Sequence, residues 1–212
     1  MLLVGGLTLG FFIAGMVAAA ALGGLTPNPL GPASTVTDYY RDHPVSVQAD
    51  AIFLFAASVP LLIYAATVSA RLRQLGITAP GATIALAGGA VASVTLSLSG
   101  LLGWVLSRPV VRTDGALVQA LSTLSYLVGG PGHVVPLGLL VAGVSVPALI
   151  VGLLPRPVAW AGLVIAVIAE LSTLSLIFPT LAILLPIARF PALIWLLIAG
   201  AFLPAQRKKA TP

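Results

Sequence analysis

Four ionisable side chains lie within or at the head of long apolar runs: Asp50, His133, Glu170 and Arg189. Charged or titratable groups are costly inside a bilayer, and those found there are functional candidates. Glu170 and Arg189 occupy two apolar segments that fold back on each other at Phe178-Pro179-Thr180. Counted from that turn at 1.5 Å per residue, they lie roughly 12 Å and roughly 14 Å deep. Opposite charges at similar depth on neighbouring helices read either as a ligand site or as an ion pair that locks the helices. Side chains lean toward a helix N-terminus, so Arg189 leans outward and Glu170 inward. That leaves open the alternative that Arg189 snorkels to the surface. Pro186 and Pro191 flank Arg189. Each removes a backbone bond and exposes carbonyls that a guanidinium can take up.

His133 follows Gly129-Gly130-Pro131-Gly132 directly. It reads as a ligand, a proton relay or a hydrogen-bonding residue at a kink, because such a break opens a helix N-terminus suited to anions and also permits a bend. Together His133, Glu170 and Asp50 are metal-ligand types. Their spacing matches no ligand motif, so no metal and no cofactor is expected. A bis-histidine haem would need His43, which lies in a loop. The chain has no Walker loop, no metalloprotease histidine pair and no Ser-His-Asp pattern with supporting spacing.

The elements that must hold these groups are membrane helices. Of the 212 residues 59% are apolar and 7% charged, and the mean hydropathy is +1.13. A soluble domain carries about 25% charged residues, so too little polar surface exists to cover a water-facing globule. The pattern predicts an all-α polytopic transmembrane helical bundle with six spans in a single membrane domain, 1–212. The spans fall near 2–25, 47–70, 80–107, 117–154, 157–178 and 180–204, the fourth broken at Gly129–Gly132. The first run resembles a signal peptide in its small residues Ala18–Ala21 but has no Lys or Arg before it, and is read as a span. Residues 26–46 form an outer loop with Tyr39 and Tyr40 at the interface; a short surface helix or lid is the alternative. Ser93, Thr95, Ser97 and Ser99 spread around the third span and bond their own backbone or a neighbour.

The net charge of +5 reads as topology, not nucleic-acid binding, because most basic residues sit in short loops and a tail. Arg71 and Arg73, Arg156, and Arg207-Lys208-Lys209 fall on one side; Arg41, Arg108 and Arg112 fall on the other. The positive-inside rule makes the first side cytoplasmic, with both termini and the basic tail 205–212 there. Cysteine is absent, which excludes disulfides, thiolate metal sites and thiol nucleophiles.

Depth counted from the inner ends puts Asp50 and His133 roughly 31 Å up, at an outer rim, and Glu170 and Arg189 roughly 20 Å and 22 Å up. The expected shape is an outward vestibule with Asp50 and His133 at the rim and Glu170 with Arg189 at the floor. The inner half is mainly Leu, Ile, Val and Ala, so no through-channel is expected.

Three stretches carry a resemblance: Thr37-Asp38-Tyr39-Tyr40-Arg41-Asp42-His43, Gly129-Gly130-Pro131-Gly132-His133 and Ala169-Glu170-Leu171-Ser172-Thr173-Leu174. In these the chain resembles uncharacterised bacterial six-span membrane proteins grouped under a domain of unknown function. The resemblance implies a bacterial inner-membrane location and supplies no activity and no residue roles. The residues themselves suggest a binding or transport-accessory protein. Its partners are then the lipid bilayer and a small or amphiphilic, lipid-like ligand, anchored by Arg189 if the ligand is anionic. The alternatives are an intramembrane enzyme using Glu170 and His133 as an acid–base pair, and a structural or partner-binding subunit.

Overall fold

The computed structural model describes residues 1–24 and 26–204; the basic tail expected over 205–212 lies outside the described residues. Every regular element among them is helical. Six helical segments are long and apolar enough to cross a bilayer: Leu2–Gly23, Pro44–Gln74, Gly81–Leu106, Gly115–Val151, Arg156–Leu176 and Pro179–Phe202. The chain is a multi-pass membrane protein.

In chain order the helices are α1 (Leu2–Gly23), α2 (Ala33–Asp42), α3 (Pro44–Gln74), α4 (Gly81–Leu106), α5 (Pro109–Arg112), α6 (Gly115–Gly129), α7 (Pro131–Val151), α8 (Arg156–Leu171) and α9 (Leu184–Phe202). Two 3₁₀ turns, Ser172–Leu176 and Pro179–Ile183, join α8 to α9. Proline opens several helices, at Pro44, Pro109 and Pro131, where its missing N–H costs nothing. Asp114 caps α6, accepting from the N–H groups of Ala116 at 3.0 Å and Leu117 at 3.1 Å. Gly76 and Gly152 end α3 and α7 with φ of 85° and 72°, a conformation glycine adopts without strain.

The spans form a ring in which α1 packs on α3, α3 on α4, α4 on α7, α7 on α8, α8 on α9, and α9 back on α1. Small residues set the closest approaches. A Cβ on Gly88 of α4 would stand 2.6 Å from the Pro136 carbonyl of α7, and one on Gly143 of α7 would stand 2.5 Å from the Ala85 nitrogen of α4. Such positions let backbones meet where lipid supplies no hydrophobic drive between helices. Buried hydroxyls tie the same contacts. Tyr64 donates to the Leu196 carbonyl at 2.5 Å, Ser69 to Ala82 at 2.7 Å, and Ser93 to Ser58 at 2.6 Å. Thr95 and Ser97 bond their own helix, so the four α4 hydroxyls divide between the two uses. Large apolar side chains such as Ile52, Val94, Val164 and Val167 stay more than half exposed, as the lipid-facing surface requires.

The 26–46 connection differs from a solvated loop. Within it α2 buries Val36 and Tyr40, one turn apart, against Val47, Leu106, Val111 and Val118. That apolar pair gives the segment something to fold onto, and hydrogen bonds fasten it. Tyr39 donates to the Gly24 carbonyl at 3.2 Å, Arg112 to Arg41 at 3.0 Å, and Gln119 to Pro29 at 2.8 Å. The end of the bundle that carries α2 is the capped end; Arg71, Arg73 and Arg156 mark the other.

Candidate functional site

The break in the fourth span positions the site. α6 stops at Gly129, Gly130 takes φ −85° and ψ −106°, and Pro131 restarts the helix as α7. The last carbonyls of α6 therefore lack in-helix donors and carry the negative end of its dipole. Arg189 of α9 donates through Nη2 to one of them, the Gly129 carbonyl. Its guanidinium carbon also lies 5.3 Å from the centre of the Phe12 ring of α1, a cation–π distance. The guanidinium is held inside the bundle and does not snorkel. Its carbonyl partner comes from α6, whereas the sequence pointed to carbonyls freed by Pro186 and Pro191 on its own helix.

Above Arg189 opens a cavity of about 550 Å³ between α3, α4, α6 and α9. Its polar walls are Asp50, Ser99, Ser122, Ser125, Tyr126 and Arg189, and residues 26–29 with Tyr40 form the roof. Ser99 and Ser125 brace α4 against α6: the Ser99 hydroxyl donates to the Ser125 carbonyl at 3.0 Å, and the Ser125 hydroxyl to the Ser99 carbonyl at 3.2 Å. A Cβ on Gly129 would collide with the Ser99 hydroxyl, so glycine is what admits the α6 end to this corner. Burial, followed by the negative potential of Tyr39 and Asp50, pushes the Tyr40 phenol well above its ordinary pKa.

Asp50 and Arg189 thus line one cavity, yet no ion pair joins them; among the described residues the one ion pair is Arg41 with Asp38, at 3.4 Å on the surface. The Asp50 carboxyl lines the cavity, and no hydrogen bond reaches it from the described residues. It lies beside α1, its Oδ1 3.3 Å from where a Cβ on Gly15 would be.

The other two sequence candidates lie elsewhere. Glu170 is exposed on the outer face of α8, near Gly138 of α7, and does not reach Arg189. The reason is angular. Ala169 is buried and packs toward Gly138 of α7, and Glu170, the next residue and about 100° further round α8, is exposed. Arg189 turns into the bundle toward Gly129 and Phe12, so equal depth produces no floor pair. His133 is fully buried and is not at a rim. Its Nδ1 meets the Ala92 carbonyl at 2.8 Å, so Nδ1 carries the proton and donates, while Nε2 is enclosed without a partner. Ala92 lies near the middle of α4. Counting depth from Leu154 overshot because α6 occupies the outer part of the fourth span and α7 runs past the start of α4. His133 and Glu170 are not brought together either: one meets α4, and the other approaches α7 from α8. Five residues of α7 separate His133 from Gly138, which puts them roughly 140° apart around that helix.

Tyr126, Ser99 and Ser125 were not singled out for the site from sequence. Their only advance signal was nearness to the Gly129–Gly132 break or membership of a hydroxyl-rich helix. No group of three or more potential metal ligands exists among the described residues. Comparison with protein-family models, with curated proteins and with solved structures found no match.

Proposed function

We propose that this chain is a membrane-embedded binding protein, with a transport-accessory role, whose cavity takes the polar part of a small or lipid-like ligand. The observation that carries this reading is a capped cavity holding two unbridged charges, Asp50 and Arg189. A cavity of about 550 Å³ falls within the 300–1,000 Å³ of small-molecule sites. Keeping a guanidinium inside a membrane span is costly, and among the described residues Arg189 bonds through Nη2 alone, with Nε left without a partner, so donor capacity remains for an anionic group. The Lys and Arg distribution supports a cytoplasmic face at Arg71, Arg73 and Arg156, with the capped end on the far side of a bacterial inner membrane. The separation of His133 from Glu170 leaves the acid–base enzyme reading without a geometric basis.

Native mass spectrometry of protein extracted in mild detergent tests the reading. A retained small adduct is expected on the native chain. It should disappear in Arg189→Gln and in Ala182→Trp, which fills the cavity wall. An adduct that survives both substitutions places the ligand elsewhere and overturns the proposal.

A further inference from the structure

We infer that the cavity selects a zwitterion, with Asp50 taking a cationic nitrogen and Arg189 a phosphate- or carboxylate-type anion. This rests on the cavity being a binding site. Two charges of opposite sign that share one cavity ordinarily close on each other, because each is costly to leave unpaired in a low-dielectric interior. Here they stay further apart than the 4.0 Å of an ion pair. Arg189 is fixed by the Gly129 carbonyl and the Phe12 ring. Asp50 lies beside α1 at Gly15, where the missing side chain makes room for the carboxylate.

Both neighbours lie on one helix, Phe12 and Gly15 of α1 being one turn apart. A ligand whose ammonium and anion belong to one head satisfies both poles. A purely anionic ligand would face the Asp50 carboxylate, and a purely cationic one the guanidinium. A neutral ligand would leave both charges desolvated. Free capacity remains on both groups: among the described residues Arg189 bonds through Nη2 alone, its Nε being enclosed without an acceptor, and no protein donor meets the Asp50 carboxylate. The hydroxyl of Tyr126 lines the same space and suits a remaining oxygen of such a head, whereas those of Ser122 and Ser125 already donate to the Gln119 and Ser99 carbonyls.

Binding to the detergent-solubilised protein, measured by isothermal calorimetry, tests this with four probes. These are dihexanoylphosphatidylethanolamine, dihexanoylphosphatidylglycerol, hexylammonium and free O-phosphoethanolamine. The zwitterionic lipid is expected to bind at least tenfold more tightly than the anionic lipid or the alkylammonium. In Asp50→Asn that preference should vanish, the zwitterion weakening and the anionic lipid improving. In Arg189→Gln both lipids should weaken, while hexylammonium does not. Equal affinity of the native protein for both lipids overturns the zwitterion inference and leaves the binding site standing. Binding of none of the four overturns both. Free O-phosphoethanolamine matching the lipid identifies a soluble zwitterion as the source, and its failure beside tight lipid binding identifies a headgroup. Circular dichroism and gel filtration confirm folding, and if Arg189→Gln does not fold, the near-isosteric Asp50→Asn still decides the outcome.

Discussion

The electrostatic link between Asp50 and Arg189 is measurable as a coupling energy. The charges lie beyond 4.0 Å, so at an effective dielectric of about 20 their attraction is below about 4 kcal/mol. Water in the cavity screens part of it. A double-mutant cycle on Asp50→Asn and Arg189→Gln should therefore return about 1–2 kcal/mol. The assay is unfolding in mixed micelles, followed by circular dichroism, for the native chain, both single variants and the double. The matching cycle on Glu170→Gln and Arg189→Gln is the control. Glu170 is exposed on α8 and makes no ion pair with Arg189, so their effects should add within about 0.5 kcal/mol. A coupling below about 0.5 kcal/mol for Asp50 with Arg189, or an equally large one for Glu170 with Arg189, would refute the arrangement.

Other outcomes follow from packing and burial. Gly88→Val drives a side chain into the backbone of α7 and should destabilise by about 1–3 kcal/mol, while Gly10→Val, which meets nothing within 4 Å, should leave the melting temperature in place. Tyr64→Phe removes a buried hydrogen bond to the Leu196 carbonyl, which keeps its in-helix donor, and should cost about 0.5–1.5 kcal/mol in the same unfolding assay. The Tyr40 phenol is pushed above its ordinary pKa, so the folded state keeps a proton that the unfolded chain releases above about pH 10. Stability should fall as pH rises past that point, and less steeply in Tyr40→Phe; identical slopes would show that Tyr40 ionises freely.

The six spans were legible in the sequence because length and hydropathy alone decide them, and Gly129-Gly130-Pro131-Gly132 announced the break because no continuous helix tolerates it easily. Azimuth was not legible. Glu170 and Arg189 share a depth, but a helix turns about 100° per residue, so Ala169 faces Gly138 of α7 while Glu170 is exposed, and Arg189 turns inward to Gly129. Depth itself was misjudged for His133, since counting from a chain terminus of a span assumes that all spans start at one plane. Ser99, Ser125 and Tyr126 were hidden by abundance: a chain with many small hydroxyls does not mark which of them face a cavity. The α2 cap was hidden because its apolar stripe is only Val36 and Tyr40 within an otherwise polar stretch.

The placement of the two charges also imposes an order on assembly. Chains are made from the N-terminus, so Asp50 enters the bilayer with α1 and α3 long before Arg189 exists. Until α9, the last of the described spans, docks against α1, the nascent bundle holds an acid beside Gly15 with no cation to answer it. Arrival of α9 supplies the guanidinium, the Phe190 ring edge-on to Phe12 at 5.9 Å, and the Leu196 carbonyl that Tyr64 needs. The ring therefore closes only when the last of the described spans meets the first, and its contacts to Phe12 and Tyr64 form together.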